Sequence, residues 1–211
     1  MQYADILRHF QPSGCFELPE LVVLTQEKRA TLLHTLCRWA KRGWITQVRR
    51  GLYAFPDEVA KNPLTAERAA NHIYKDTYVT GLWRLNQLGL IPEGVTEVTN
   101  ATRKNPAVFN TPLGRFNYRH IGVKGFWGYE IAMEGGAEVK IATPEKALLD
   151  FFWWQGGEWD IREFERWRIQ DPFTKINYRC LIENARRWGQ PRLMRAADRL
   201  VEFLAAAQHP L

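Results

Sequence analysis

Two groups of residues in this chain are suited to chemistry: carboxylates around one lysine, and a concentration of cations near the N-terminus. Glu138-Val139-Lys140 lies in a β-prone run, with Glu130 and Asp150 close in sequence. An acid-x-Lys pair of this kind forms the core of metal-dependent nucleases. There the carboxylates hold Mg²⁺ and the lysine helps a water attack phosphate. On a strand, however, Glu138 and Lys140 share one face, and as a surface ion pair they are worth only about 0–1 kcal/mol. The nuclease arrangement also needs an acid on a neighbouring strand, for which Glu130 is the best candidate. The surface pair is the simpler reading, so no catalytic residue, metal ligand or cofactor is assigned.

Other enzyme signatures are missing. The sequence has no G-x-G-x-x-G, G-x-x-x-x-G-K-[ST], H-E-x-x-H or G-x-S-x-G motif. Ser13, the only serine, sits in a Pro-Ser-Gly turn, which argues against a serine hydrolase. The histidines (His9, His34, His72, His120 and His209) lack ligand-like spacing, and Cys15, Cys37 and Cys180 form no C-x-x-C pair. No apolar run approaches the roughly 20 residues that cross a bilayer. The N-terminus resembles neither a signal nor a transit peptide. A cytoplasmic chain with reduced thiols and no membrane partner is expected.

The cations are more informative. Of 211 residues, 29 are Lys or Arg and 23 Asp or Glu, a formal net charge of +6. From Glu27 to Arg50 there are seven bases (Lys28, Arg29, Arg38, Lys41, Arg42, Arg49 and Arg50) and one acid. This segment carries the whole surplus, which points to a polyanionic partner, nucleic acid before membrane. The composition, 45% hydrophobic and 25% charged, is that of a folded chain.

The elements that must position these cations read as helix, strand, helix, helix and hairpin within residues 1–57. Gln2–Phe10 is amphipathic, Cys15–Leu18 is strand-like, and Pro19–Leu24 is a short helix. Thr25 is expected to cap a long helix from Gln26 to about Arg42, stopped by Gly43. Trp44–Arg50 and Leu52–Phe55 form a hairpin around Gly51. That order is the order of a winged helix-turn-helix, whose second helix enters the major groove. At about 100° per residue, Leu33, Leu36, Cys37 and Ala40 fall on one side of the long helix. Lys28, Thr31, Thr35, Arg38 and Arg42 fall opposite. With Gln26 at the helix start and Arg49 and Arg50 at the hairpin turn, these are the expected contacts to double-stranded DNA.

Pro56–Pro63 reads as a linker, and residues 58–211 as a second domain. Helices follow Thr65 and Thr80. β-prone runs cover Val95–Thr99, Gly114–Ile121, Phe126–Ala132 and Ala137–Ala142. Thr143-Pro144-Glu145 starts a helix ending at Gly156-Gly157, and Asp160, Ile176 and Pro191 open three more. The expected fold class is α+β, with a small, mainly antiparallel sheet and C-terminal helices. Trp127, Trp153, Trp154, Trp159 and Trp167 are expected to fill the core between sheet and helices. In Thr143–Phe151, Ala147, Leu148 and Phe151 face inward, with Glu145 and Lys146 towards solvent. Arg186, Arg187, Arg192, Arg195 and Arg199 form a second basic cluster on the C-terminal helices. It is read equally well as a solvated stripe or as a surface for extra DNA-backbone contact or an acidic partner.

Several segments resemble the AbiEi family of abortive-infection, type IV antitoxins. They are RRGLYAF (Arg49–Phe55), YVTGLWRLNQLGLI (Tyr78–Ile91), VTEVTN (Val95–Asn100), GRFNYRHI (Gly114–Ile121) and, most distinctively, IATPEKALLDFF (Ile141–Phe152). Their order and spacing cover nearly the whole chain. Thr80 stands where a small residue is usual in the family, and the tryptophan content is higher. The resemblance implies a bacterial cytoplasmic repressor that binds its own promoter. It also implies a second domain that counteracts a nucleotidyltransferase-like toxin without a stable complex. A stand-alone winged-helix regulator and the nuclease at Glu138/Lys140 are the alternatives.

Overall fold

The computed structural model describes residues 1–172 and 174–208, with the side chains of residues 207 and 208 undescribed. His209 lies outside the described residues. The chain is α+β, with nine α-helices and two sheets among the described residues. The first 55 residues contain α1 (Tyr3–Phe10), β1 (Cys15–Glu17), α2 (Leu18–Thr25), α3 (Arg29–Lys41), β2 (Thr46–Arg49) and β3 (Leu52–Ala54). The three strands form an antiparallel sheet in the order β1-β3-β2. Ile6, Phe16, Leu18, Leu21, Leu32, Leu36, Trp39, Ile45, Tyr53 and Phe55 meet between sheet and helices.

Thr25 does not cap the long helix. Its hydroxyl donates back to the Leu21 carbonyl at 2.8 Å, inside α2. Gln26 then ends α2 in the left-handed region, φ 54°. Helix α3 therefore starts later than the sequence suggests, with Lys28 at its cap position and no side-chain hydrogen bond to its first turn.

The second part adds α4 (Ala66–Ile73), β4 (Thr77–Val79), α5 (Gly81–Gln87), β5 (Glu97–Thr102), β6 (Ala107–Thr111), β7 (Gly114–His120), β8 (Tyr129–Glu134), β9 (Ala137–Ala142), α6 (Pro144–Gln155), α7 (Ile161–Arg166), α8 (Tyr178–Trp188) and α9 (Pro191–Gln208). Its sheet is larger than expected and mixed. The six strands run β6-β7-β5-β4-β9-β8, with β4/β9 and β5/β7 parallel and the other neighbours antiparallel. Strands β4 and β6 escape sequence reading for different reasons. β4 has three residues, all buried, with no alternation to betray it. β6 lies between Asn105-Pro106 and a tight turn and reads as loop.

Tyr78, Ala101 and Ala142 on one face of this sheet meet α5, α6, α8 and α9 in the main core. The expected tryptophans are there: Trp159 is buried within it, and Trp127, Trp153, Trp154 and Trp167 pack against it. The other face, with Val79, Val98, Phe116 and Tyr118, is covered by Ala69, Ala70 and Ile73 of α4. Cys15, Val48, Leu52 and Ala54 of the small sheet belong to that same cluster. The linker is locked as well. Arg68, 1% exposed, donates to the carbonyls of Asn62 and Pro63, both at 3.1 Å, and to that of Ser13. Gly14 sits beside it at φ 66°, where a Cβ would lie 2.0 Å from the Asn62 oxygen.

Candidate nucleic-acid interface

Burial on α3 is decided by its bulkiest apolar side chains. The inward stripe is Leu32, Thr35, Leu36 and Trp39. The expected inward face, Leu33, Leu36, Cys37 and Ala40, is wrong by about 100°, one residue's rotation. Leu33 is 39% exposed and Cys37 is exposed. Leu32 and Trp39 have far more apolar surface to remove from water than Cys37 and Ala40, and they set the helix orientation. Thr35, expected on the DNA-facing side, is consequently buried.

The outward face carries Ala30, Thr31, Leu33, His34, Cys37, Arg38 and Lys41, with Lys28 and Arg29 at the helix start. Arg42 lies just past its end, its guanidinium 5.1 Å from the Trp44 ring centre. Gln26 is exposed, but in the turn before α3 rather than on it. Glu27, the only acid of the segment, is taken by the Met1 ammonium at 2.8 Å. Among the described residues, Lys28, Arg29, Arg38, Lys41 and Arg50 form no ion pair. The uncapped first turn adds unpaired N–H groups and the positive end of the helix dipole to the same place.

The two hairpin arginines part company. Arg50 is exposed at the turn. Arg49, expected beside it as a second free cation, is half-buried and turned towards the second part of the chain. Its Nη1 donates to the Arg50 carbonyl and its Nη2 to the His72 carbonyl, both at 3.0 Å, while its Nε is buried without a partner. Beside it, Glu17 receives His72 at 3.3 Å and Lys75 at 3.1 Å. Burial alone raises the Glu17 carboxyl, but the hydrogen bonds from Lys75 and His72 outweigh this and hold it below its ordinary value.

The C-terminal arginines are largely committed to packing. Arg195 grips Glu158 with two nitrogens, and Arg199 reaches the same carboxylate at 3.5 Å and the Trp159 carbonyl at 2.9 Å. Arg192 donates to the Trp153 and Gly157 carbonyls at 3.1 and 3.3 Å. Arg187 lies over the Trp127 ring at 4.6 Å. Arg186 is exposed. The stripe Arg192/Arg195/Arg199 therefore fastens α9 to the turn after α6 and is not the free basic surface considered from the sequence.

The acid-x-Lys constellation does not assemble. Glu138 and Lys140 stand across from Met133 and Ile131, whereas Glu130 stands across from Ile141 on the opposite face of the sheet. Asp150 is fully buried on another element. Among the described residues, no three His, Cys, Asp or Glu side chains group as metal ligands.

A site that the sequence understated lies in the second part. Lys146 and Asp150 are both completely buried and in contact. Thr80 and Tyr78 donate to Asp150 Oδ2 at 2.8 and 3.0 Å. The Lys146 ammonium is ringed by Trp188, Trp127 and Tyr78 at 4.2, 5.2 and 5.5 Å. Gly128, at φ 74°, presses on the lysine stem, where a Cβ would meet its methylenes at 3.0 Å. Burial pushes the Asp150 carboxyl up and the Lys146 ammonium down, each towards its neutral form. Glu145, 5% exposed, accepts from the Asn177 N–H at 2.8 Å. The solvent-facing placement expected for Glu145 and Lys146 is thus reversed. The segment Gly122–Gly128 and helix α8 cover them, and both are distant in sequence from α6. Both side chains are closed off from solvent.

Among the described residues, no helix is long and apolar enough to cross a membrane. The chain matches no protein-family model and no curated protein.

Proposed function

We propose that this chain is a DNA-binding transcriptional regulator whose first 57 residues act as a winged helix-turn-helix. Helix α3 would lie in the major groove and the β2–β3 turn against the backbone. The observation that carries this reading is the run of unpaired cations on and beside one exposed helix face: Lys28, Arg29, Arg38, Lys41 and Arg50. No ion pair among the described residues consumes their charge. The element order and the pairing β1-β3-β2 support the same reading. Following the AbiEi resemblance, the promoter bound is the chain's own, and the second domain counteracts a nucleotidyltransferase-like toxin.

Footprinting on the chain's own promoter, with affinity measured across salt, tests the reading. Replacing Arg38, Arg42 and Arg50 by alanine should weaken binding to all sequences. It should also flatten the slope of log K against log salt by about one unit per lost phosphate contact. An unchanged slope removes these residues from the interface. Thr31→Ala should alter base preference, while the buried Thr35 should affect only stability. The antitoxin part is tested separately, by whether co-expression relieves growth arrest caused by the neighbouring toxin gene.

A further inference from the structure

A groove of about 500 Å³ opens between α2, the first residue of α3 and the hairpin turn. Leu18, Pro19, Val22 and Val23 form its apolar wall. Arg29 at the start of α3 and Arg49, Arg50 and Gly51 of the hairpin turn also line it. Its size falls in the range of small-molecule sites, which are mostly apolar with a few placed polar groups. A surface that only follows a phosphodiester backbone has no need of such a wall. Val23 nevertheless stands 78% exposed at the lip.

We propose that this groove binds a small amphipathic anion: a phosphate or carboxylate group joined to an aromatic or aliphatic body. The anionic end meets Arg29 and Arg50, neither of which has an ion-pair partner among the described residues. Arg49 is pre-positioned by its two carbonyl acceptors, and its buried Nε is without a partner. The one carboxylate in the lining, Glu17, is already paired with the Lys75 ammonium at 3.1 Å, so its charge is met before an anion arrives. The Leu18 N–H donates to the Gly51 carbonyl at 2.8 Å and holds the turn against α2, so the two walls are fixed relative to each other. The apolar body covers Leu18, Val22 and Val23 and removes them from water, which supplies the hydrophobic part of binding.

Arg29 and Arg50 also belong to the DNA-facing set, so ligand and duplex compete for them. This consequence, unlike the site itself, rests on the DNA-binding reading. Calorimetric titration of the full chain with 1-naphthyl phosphate, inorganic phosphate and 1-naphthol tests the site. The aryl phosphate should saturate one site, and each half-molecule should bind about tenfold more weakly or worse. Arg29→Ala and Arg50→Ala are surface changes that leave the fold intact, and each should weaken the aryl phosphate about tenfold. Arg186→Ala should not. Inorganic phosphate binding as well as the aryl phosphate reduces the groove to a bare anion contact and overturns the proposal. Equal binding of naphthol reduces it to an apolar patch and overturns it too, as does indifference to Arg29→Ala and Arg50→Ala. Promoter binding by a chain that takes no aryl phosphate sinks the groove site alone. Saturable aryl phosphate binding that leaves promoter affinity unchanged keeps the site and removes Arg29 and Arg50 from the DNA face.

Discussion

Asp150→Ala should lower the stability of the chain by about 3–5 kcal/mol. The substitution strands the Lys146 ammonium inside the core and removes the acceptor of both the Tyr78 and the Thr80 hydroxyl. The surrounding rings of Trp188, Trp127 and Tyr78 favour the cation, but by less than the cost of leaving it uncompensated. For a chain of this size, thermal unfolding followed by circular dichroism should show a fall of about 6–20 °C. The double variant Lys146→Met/Asp150→Leu removes both charges and should be less destabilised than Asp150→Ala alone. A single variant that melts within about 2 °C of the parent would show the pair to be dispensable. A double variant as unstable as the two single changes added together would show that the two side chains are not coupled.

Arg68→Ala should cost a similar amount, about 3 kcal/mol or more, through a different mechanism. It leaves the carbonyls of Ser13, Asn62 and Pro63 without this donor at a partly buried seam. Lysine at this position cannot serve three acceptors in a fork and should rescue only part of the loss. The local signature is as informative as the melting point. Limited proteolysis should cut within Pro56–Pro63 much faster in Arg68→Ala than in the parent. Lys61→Ala, on the exposed side of the same segment, should stay within about 0.5 kcal/mol of the parent. A linker equally resistant in both chains would mean that Arg68 does not hold it. Acid works on the neighbouring bridge. Because the Glu17 carboxyl is held below its ordinary value, the stability it contributes is present above that value. It is lost as pH falls past the ordinary glutamate value and through the lowered one.

Element types were readable in this sequence wherever the signal is local. Thr65, Thr143 and Asp160 cap helices with their own side chains, and Gly156 and Gly189 end α6 and α8. Failures came where the deciding contact lies far away in sequence. Thr80 has the right residue type for a cap, yet its hydroxyl goes to Asp150, 70 residues on. Glu145 and Lys146 look like solvent-side residues of a first turn until Gly122–Gly128 and α8 are laid over them. Arg49 is drawn from the turn by a carbonyl 23 residues away. The rotation of α3 is different, because its signal was in the sequence. Weighing side chains by size rather than counting apolar positions would have turned Leu32 and Trp39 inward, and would have put Lys41 and His34 on the candidate face with Arg38.

Val48, Leu52 and Ala54 of the hairpin's apolar side are shared with α4 and the large sheet. The proline-rich segment at residues 56–63 is a boundary in composition, but the seam beneath it is not one in cooperativity. Amide hydrogens of β3 and α4 should exchange through a common opening, since neither element can leave without exposing the other. A head cut off after residue 57 would carry a wet apolar face, and grafting it onto another chain would require transplanting the face that covers it.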